Sequence, residues 1–299
     1  MAEVHHFSYG LLTPVLAYAL SVTGSLLGLL CTARARGSAG RSRGAWLILA
    51  ALAIGGTGIW VMHFIAMLGF NVQGAEIRYD VPLTMLSCAI AVVMVAIGLF
   101  IVGFGVAGRG SIVTGGVITG VGVASMHYMG MAAMNMSGHV GYRSDLVALS
   151  VAIAVVAASV ALWFALSIRG GWTTAGAALI MGVAVTGMHY TGMAAMHVTV
   201  HEDMAAPTGA TATDFLMPLI ACIGVVSVIM LAIIAMARTE DELRVDAALR
   251  ERIRVRQAGR ASHPPNMPTG PVEPPRTRST GEWFDGRADP DGVGREYVP

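Results

Sequence analysis

Seven long apolar segments, separated by short polar loops, constrain this chain more than any other feature. They run from Leu11 to Cys31, Ala45 to Phe70, Pro82 to Val106, Ser111 to Met136, Leu146 to Ile168, Trp172 to His197 and Asp214 to Ala237. Each has roughly 20 to 26 residues, enough for an α-helix to cross about 30 Å of hydrocarbon. Because no water reaches the hydrocarbon to satisfy an open backbone, these segments are predicted to be transmembrane helices.

The charged residues are concentrated after the last apolar segment. Residues 1–237 contain 15 of the 37 Asp, Glu, Lys and Arg residues, and the whole chain is 12% charged, against about 25% in soluble proteins. So few charges cannot give residues 1–237 a soluble surface, which excludes a cytosolic enzyme and a nucleic-acid-binding protein. We therefore expect an all-α integral membrane protein with the lipid bilayer around it.

The arginines indicate how the chain is oriented. The first, third and fifth loops contain Arg34, Arg36, Arg41, Arg43, Arg109 and Arg169, and eleven more arginines follow the seventh segment. The opposite loops contain only Arg78 and Arg143, both with acidic neighbours. The positive-inside rule therefore predicts a multi-pass plasma-membrane protein with its N-terminus outside and its C-terminus in the cytoplasm.

Three regions are expected along the chain. Residues 1–237 form the membrane domain. Residues 238–261 are rich in arginine and have oppositely charged residues four apart, such as Glu240 and Arg244, which predicts a cytoplasmic helical extension. Residues 262–299 contain eight of the 12 prolines and are predicted to be a disordered tail.

One short motif occurs three times, on the second, fourth and sixth apolar segments. The copies read WVMHFIAMLGF from Trp60, SMHYMGMAAMNM from Ser125 and GMHYTGMAAMH from Gly187. Their histidines, His63, His127 and His189, are 64 and 62 residues apart, one helix pair each. This spacing predicts three two-helix repeats plus one extra helix. All three histidines then share one depth, roughly 10 to 13 Å below the outer surface.

Methionine accompanies each histidine at fixed spacings. Met67, Met131 and Met193 follow by four residues, and Met62, Met126 and Met188 precede directly. Residues four apart share a helix face, so the first group is expected beside the histidines. Met134, Met196 and His197 would extend the same face and are possible secondary ligands. Ten of the 19 methionines lie in the three motif segments.

These side chains favour a copper site. A single membrane histidine is more often a hydrogen-bonding group between helices, but three at one depth indicate a function. Imidazole and thioether together suit copper, especially Cu(I). Haem with His and Met axial ligands is a less favoured alternative, and structural zinc would need more Cys or His ligands. Cys88 and Cys222 are expected to be free thiols, and no catalytic arrangement indicates an enzyme.

The motif residues resemble those of the MHYT domain family of bacterial membrane sensors. Met188-His189-Tyr190-Thr191 spells the signature, Met126-His127-Tyr128-Met129 differs at its last position, and Met62-His63-Phe64-Ile65 differs at its last two. The resemblance covers about residues 5–237. It implies a copper site near the outer membrane face, formed by the motif Met and His residues, and a role in sensing oxygen, carbon monoxide or nitric oxide.

Family members are often fused to diguanylate cyclase, phosphodiesterase or histidine kinase domains, whereas only about 60 residues follow the membrane domain here. We therefore expect a bacterial copper-binding sensor of diatomic gas or redox state, not an enzyme, that signals to a separate cytoplasmic protein. One alternative is a copper-handling or assembly protein that receives metal through His5, His6 and His201. Another is an accessory subunit of a membrane redox complex.

Overall fold

The chain divides into two units, Met1–Asp246 and Ala247–Pro299. The structure is a computed structural model that describes residues 4–5, 7–73, 76–105, 108–200, 207–236 and 248–258. The second unit is described only over a helix at residues 248–258, which lies in the predicted extension. The rest of that extension and the tail at 262–299, for which disorder was predicted, lie outside the described residues.

Seven helices of the first unit match the seven apolar segments. They are α1 (Leu12–Arg36), α2 (Gly40–Leu68), α3 (Val81–Phe104), α4 (Arg109–Ala132), α5 (Ser144–Ser167), α6 (Gly171–Ala194) and α7 (Ala212–Met236). Each has at least 24 residues. Among the described residues, these seven helices are long and apolar enough to cross a membrane. The prediction of an all-α, seven-helix membrane domain is confirmed.

Short strands lie at the helix ends and reveal the repeating unit. The antiparallel pairs are β1 (Val4–His5) with β2 (Asn71–Val72), β3 (Arg78–Tyr79) with β4 (Met134–Asn135), and β5 (Gly138–Tyr142) with β6 (Met196–Val200). In every case the two strands enclose one helix pair. Each repeat is therefore a strand–helix–helix–strand unit, which refines the two-helix repeat predicted from the motif spacing.

The three units close into a ring of six helices. Within the units α1 packs on α2, α3 on α4 and α5 on α6; between them α2 packs on α3, α4 on α5, and α6 returns to α1. The seventh helix, α7, packs against α1 and α2. The motif helices α2, α4 and α6 thus occupy equivalent places around an approximate threefold axis, which brings their histidines to a common centre.

Arginines of the first loop tie helices together at one end of the bundle, here called the arginine end. Arg36 donates to the carbonyl oxygens of Ala165 and Ile168, the second at 2.8 Å. Arg43 donates to the carbonyl oxygen of Gly103 at 3.2 Å. These carbonyls end α5 and α3, where a helix has unsatisfied acceptors and a cation is favourable. Which end faces the cytoplasm stays a prediction.

The opposite end, here called the motif end, differs from the prediction in where the motif helices stop. The sequence extended α4 and α6 through Met134, Met196 and His197, but these helices end at Ala132 and Ala194. All three residues lie on strands β4 and β6 instead. Since the backbone there bonds to a neighbouring strand, the expected continuation of the helical face past Met131 and Met193 is wrong.

Candidate metal centre

The three motif histidines meet in the core, and we call them the histidine cluster. Each lies five residues before the last residue of its helix, which is Leu68, Ala132 or Ala194. His63, His127 and His189 are each at most 1% exposed. The common depth predicted from the sequence is thus present, although it is one helical turn from the helix ends rather than two.

The imidazoles face one another through their Nδ1 atoms. His63 Nδ1 lies 3.0 Å from His189 Nδ1 and 3.2 Å from His127 Nδ1. The rings pack edge to face, with centroids 5.0 to 5.2 Å apart and interplanar angles of 79° to 90°. One ligand nitrogen from each residue lies within 4.8 Å of the other two. Among the described residues, these three histidines form the group of potential metal ligands (His, Cys, Asp or Glu) that lie close enough together to hold a metal ion.

Two glycines of the motifs make room for the outward sides of these rings. A Cβ added at Gly130 would overlap His63 Nε2, and one added at Gly192 would overlap His127 Nε2. Each glycine lies three residues after the histidine of its own helix but contacts the histidine of the preceding unit. Among the described residues, the Nε2 atoms of His63 and His127 have no hydrogen-bond partner. The rings of His63 and His127 are thus held by packing at Nε2 and by the neighbouring imidazoles at Nδ1.

The methionines at the two expected positions are buried in the core. The two expected groups, at one residue before and four residues after each histidine, are at most 2% exposed: Met62, Met126, Met188, Met67, Met131 and Met193. Their burial agrees with a place beside the cluster, and their role as ligands stays a prediction. His197, by contrast, is exposed on β6 opposite Gly141, so the structure does not bring it to the cluster.

The cysteines and the outer histidines lie apart from this centre. Cys88 is half-buried and Cys222 is exposed, and both are free thiols. His139 is exposed on β5. His6 and His201 lie outside the described residues, as does the side chain of His5.

Hydroxyl contacts next to the cluster differ among the three repeats, and the sequence did not predict them. The Tyr128 and Ser150 hydroxyls share a 2.6 Å hydrogen bond between α4 and α5. Tyr190 occupies the same motif position, yet its buried hydroxyl has no hydrogen-bond partner among the described residues. In the first repeat Phe64 has no hydroxyl, and Trp60 Nε1 donates instead to Ser87 Oγ at 3.0 Å. The three repeats therefore share the histidine but differ in the hydrogen bonds made by the residues next to it.

The donor set fits a small metal ion. Three nitrogen ligands about 2.0 Å from one ion lie about 3.3 to 3.5 Å from one another. The two Nδ1 distances from His63 need to open by only a few tenths of an ångström to reach this separation, and all three rings offer a nitrogen within 4.8 Å of the others. In the seven membrane helices the carboxylates are confined to the first turns, at Asp145 and Asp214, so none lies beside the histidines as a ligand for a hard cation. Edge-to-face rings with centroids about 5 Å apart leave no space for a planar haem macrocycle between them.

Comparison with known families gives a match across the three repeats. The model of the MHYT family, described as a bacterial signalling protein N-terminal repeat, matches residues 56–115, 120–178 and 182–246. Each matched stretch contains one histidine of the cluster. No solved structure matches the chain.

Longer signalling proteins contain similar sequences. The bifunctional diguanylate cyclase/cyclic di-GMP phosphodiesterase MucR of Pseudomonas aeruginosa is 37% identical over 63% of this chain and 28% of its own length. The cyclic di-GMP phosphodiesterase NbdA of the same organism is 37% identical over 48% of this chain and 19% of its own. The signaling protein YkoW of Bacillus subtilis is 30% identical over 68% of this chain and 26% of its own length.

The chain thus spans about a quarter of the length of these curated relatives. The family model covers more than half of the chain, and all three motif histidines lie within it. The seven apolar helices and the bacterial signalling family together indicate a multi-pass membrane protein of bacteria. This chain belongs to the MHYT family of bacterial membrane signalling proteins.

Proposed function

We propose that this chain is a membrane sensor whose histidine cluster binds copper and responds to a diatomic gas or to redox state. The observation that carries the proposal is the meeting of three buried imidazoles, with Nδ1 atoms 3.0 and 3.2 Å apart. Polar groups inside a membrane are costly and generally mark a function. Three that converge on one point provide a ligand set.

The choice of copper follows from the kinds of donor. Neutral imidazole is a borderline ligand and thioether a soft one, and six methionines that directly precede a motif histidine or follow it by four residues are buried in the core. This combination favours copper over magnesium, calcium or manganese, which require oxygen ligands. When bound, copper would supply a change of oxidation state and an open coordination position. The protein's own part is to hold the imidazoles and to exclude water.

The ring of helices provides a way to transmit a change at this site. The helices α2, α4 and α6 begin at Gly40, Arg109 and Gly171, at the arginine end, and carry the histidines near their other ends. A change in the spacing of the imidazoles therefore displaces helices whose first turns lie at the arginine end. We expect a separate cytoplasmic signalling protein to receive this displacement, and we assign the chain no catalytic activity of its own.

Metal analysis of the purified full chain tests the site. We expect about one copper per chain in the wild type and none when His63, His127 and His189 are all replaced by Ala. His139→Ala is the matched control, because this histidine is exposed on β5, away from the cluster. Absence of copper from the wild type, or full retention in the triple variant, contradicts the proposal.

X-ray absorption at the copper edge tests the methionines separately. If Met67, Met131 and Met193 are ligands, sulfur scattering will accompany the nitrogen scattering and disappear in the triple Met→Leu variant. Nitrogen scattering alone in the wild type would limit the ligand set to the histidines.

The alternatives of a copper-handling protein and of an accessory subunit of a redox complex are tested in cells. A deletion strain with gas-dependent changes in gene expression and unchanged copper tolerance supports a sensor. Altered copper tolerance supports copper handling, and loss of a membrane oxidase or reductase activity supports the accessory role.

A further inference from the structure

A cavity of about 50 Å³ lies in the core directly beneath the histidine cluster, on its arginine side. Its lining includes Ile59, Val123 and Val185, each four residues before a histidine of the cluster. Residues four apart share a helix face and differ by about 6 Å in height. The cavity therefore lies near the axis of the ring, one helical turn below the imidazoles.

The walls of this cavity are apolar. Beside the three residues above, they are formed by Ile54, Val95, Leu99, Ala154, Ala158, Leu162 and Met188, together with four further apolar residues of α5 and α6 and one threonine, Thr119. The threonine hydroxyl donates to the carbonyl oxygen of Met94 at 3.2 Å. Because the lining offers no unsatisfied polar group, the cavity is expected to be dry and to bind apolar rather than polar molecules.

The size of the cavity limits what can occupy it. An engineered apolar cavity of about 150 Å³ binds benzene or xenon, so a cavity of about 50 Å³ holds a single, smaller molecule of a few heavy atoms. A lipid chain or an aromatic ring is too large. Met188, which lines the cavity, directly precedes His189, so a molecule bound there lies next to the cluster.

A groove on the outside of the ring approaches the same cavity from the bilayer. It runs between α5 and α6, and Ala157, Met181 and Ala184 line both the groove and the cavity. On the groove side, Val156 and Ile180 are 63% and 56% exposed, as expected for lipid-facing residues. Two alanines and one flexible methionine thus separate the hydrocarbon from the interior.

We infer that a small apolar molecule dissolved in the bilayer passes between α5 and α6 at Ala157 and Ala184 and binds in the cavity beneath the histidines. The role of this molecule as the sensed signal rests on the proposed function, whereas the binding site and its lateral access do not. The route avoids the polar loops, and it is confined to the third repeat.

Xenon is a suitable probe, because it is apolar, monatomic and close to the cavity in size. Bound xenon is measured by ¹²⁹Xe NMR exchange on the full chain in nanodiscs. The wild type should show a saturable bound signal. Ala158→Leu fills the cavity and should remove the bound xenon signal. Ala158→Val is a milder variant for use if the leucine variant does not fold, and it is expected to weaken xenon binding several-fold.

Two further variants test the access route. Ala184→Leu narrows the wall between groove and cavity and should slow xenon exchange several-fold. Ala148→Leu is the matched control, since this residue is exposed on α5 and lines neither space; exchange should equal that of the wild type. Absence of bound xenon from the folded wild type overturns the inference, as does an equal loss in Ala148→Leu and Ala158→Leu.

Copper content measured on the same samples separates this inference from the proposed function. Xenon binding without copper supports the cavity and contradicts the copper site. Copper without xenon binding contradicts the cavity and leaves the copper site in place.

Discussion

The contact between Gly192 and His127 gives a sharp test of how the cluster is built. A Cβ at Gly192 would overlap His127 Nε2, and the imidazole is 0% exposed and packed against His63, His189 and Tyr128. The ring must therefore move by about 1 Å to restore van der Waals contact, which displaces Nδ1 as well. Gly192→Ala should disturb the site without removing any proposed ligand.

Two opposing effects set the size of the change in stability. Replacing glycine by alanine inside a helix stabilises by roughly 0.5–1 kcal/mol, and overpacking a core costs about 1–3 kcal/mol. We expect a net loss of about 1–2 kcal/mol for Gly192→Ala. Gly176→Ala on the same helix is the control, because a Cβ there meets nothing within 4 Å, and it should gain about 0.5–1 kcal/mol.

Copper affinity provides the second measurement. Substitutions that misplace metal-ligating histidines typically lower metal affinity by about 10- to 100-fold, and we expect a loss of this size for Gly192→Ala and none for Gly176→Ala. Competition with a Cu(I) chelator and thermal unfolding on the same preparations measure both effects. If Gly192→Ala keeps the copper affinity of the wild type and its thermal stability is unchanged or raised, His127 does not pack against this glycine and the reasoning is refuted.

Further predictions concern the support of the cluster and the orientation of the chain. Tyr128→Phe should destabilise by about 1 kcal/mol through loss of its partly buried hydrogen bond, whereas Tyr190→Phe should be neutral or stabilising, since that hydroxyl is unpartnered in the described chain; equal thermal shifts would contradict this asymmetry. Ser87→Ala should cost about 1–3 kcal/mol in chemical or thermal unfolding, because it leaves a buried indole N–H without its acceptor. In intact cells, a membrane-impermeant maleimide should label Thr208→Cys at the motif end and not Ser42→Cys at the arginine end; the reverse pattern would invert the expected orientation.

The number of helices could be predicted because the bilayer demands long apolar runs, and these are visible in any sequence. The ends could not, because apolarity continues past Ala132 and Ala194 into Met134 and Met196, while the backbone there pairs with another strand. Strands of two to five residues are too short for an alternating pattern to reveal. The π-helical stretch Leu52–Val61 in α2 likewise leaves no periodic signal in an apolar run.

The histidines could be predicted because the motif repeats at a spacing of one helix pair. Their neighbours depend on the order and rotation of helices in the ring, which a local motif does not contain. Gly130 and Gly192 are visible inside the motifs, but each packs against the imidazole of a histidine from another repeat, and the motif does not show that contact. The hydrogen bond of Tyr128 to Ser150 likewise crosses from one repeat to the next.

The closed ring has a consequence for how such a site can diversify. Three separate copies of one strand–helix–helix–strand unit could build the same centre as a symmetric trimer, but every substitution would then occur three times. Joining the units in one chain removes that restriction. Phe64 can replace tyrosine in one unit while Tyr128 keeps its hydroxyl contact in the next, and the cavity can open toward the lipid through one helix pair. The chain keeps the geometry of a homotrimer, with each third free to specialise.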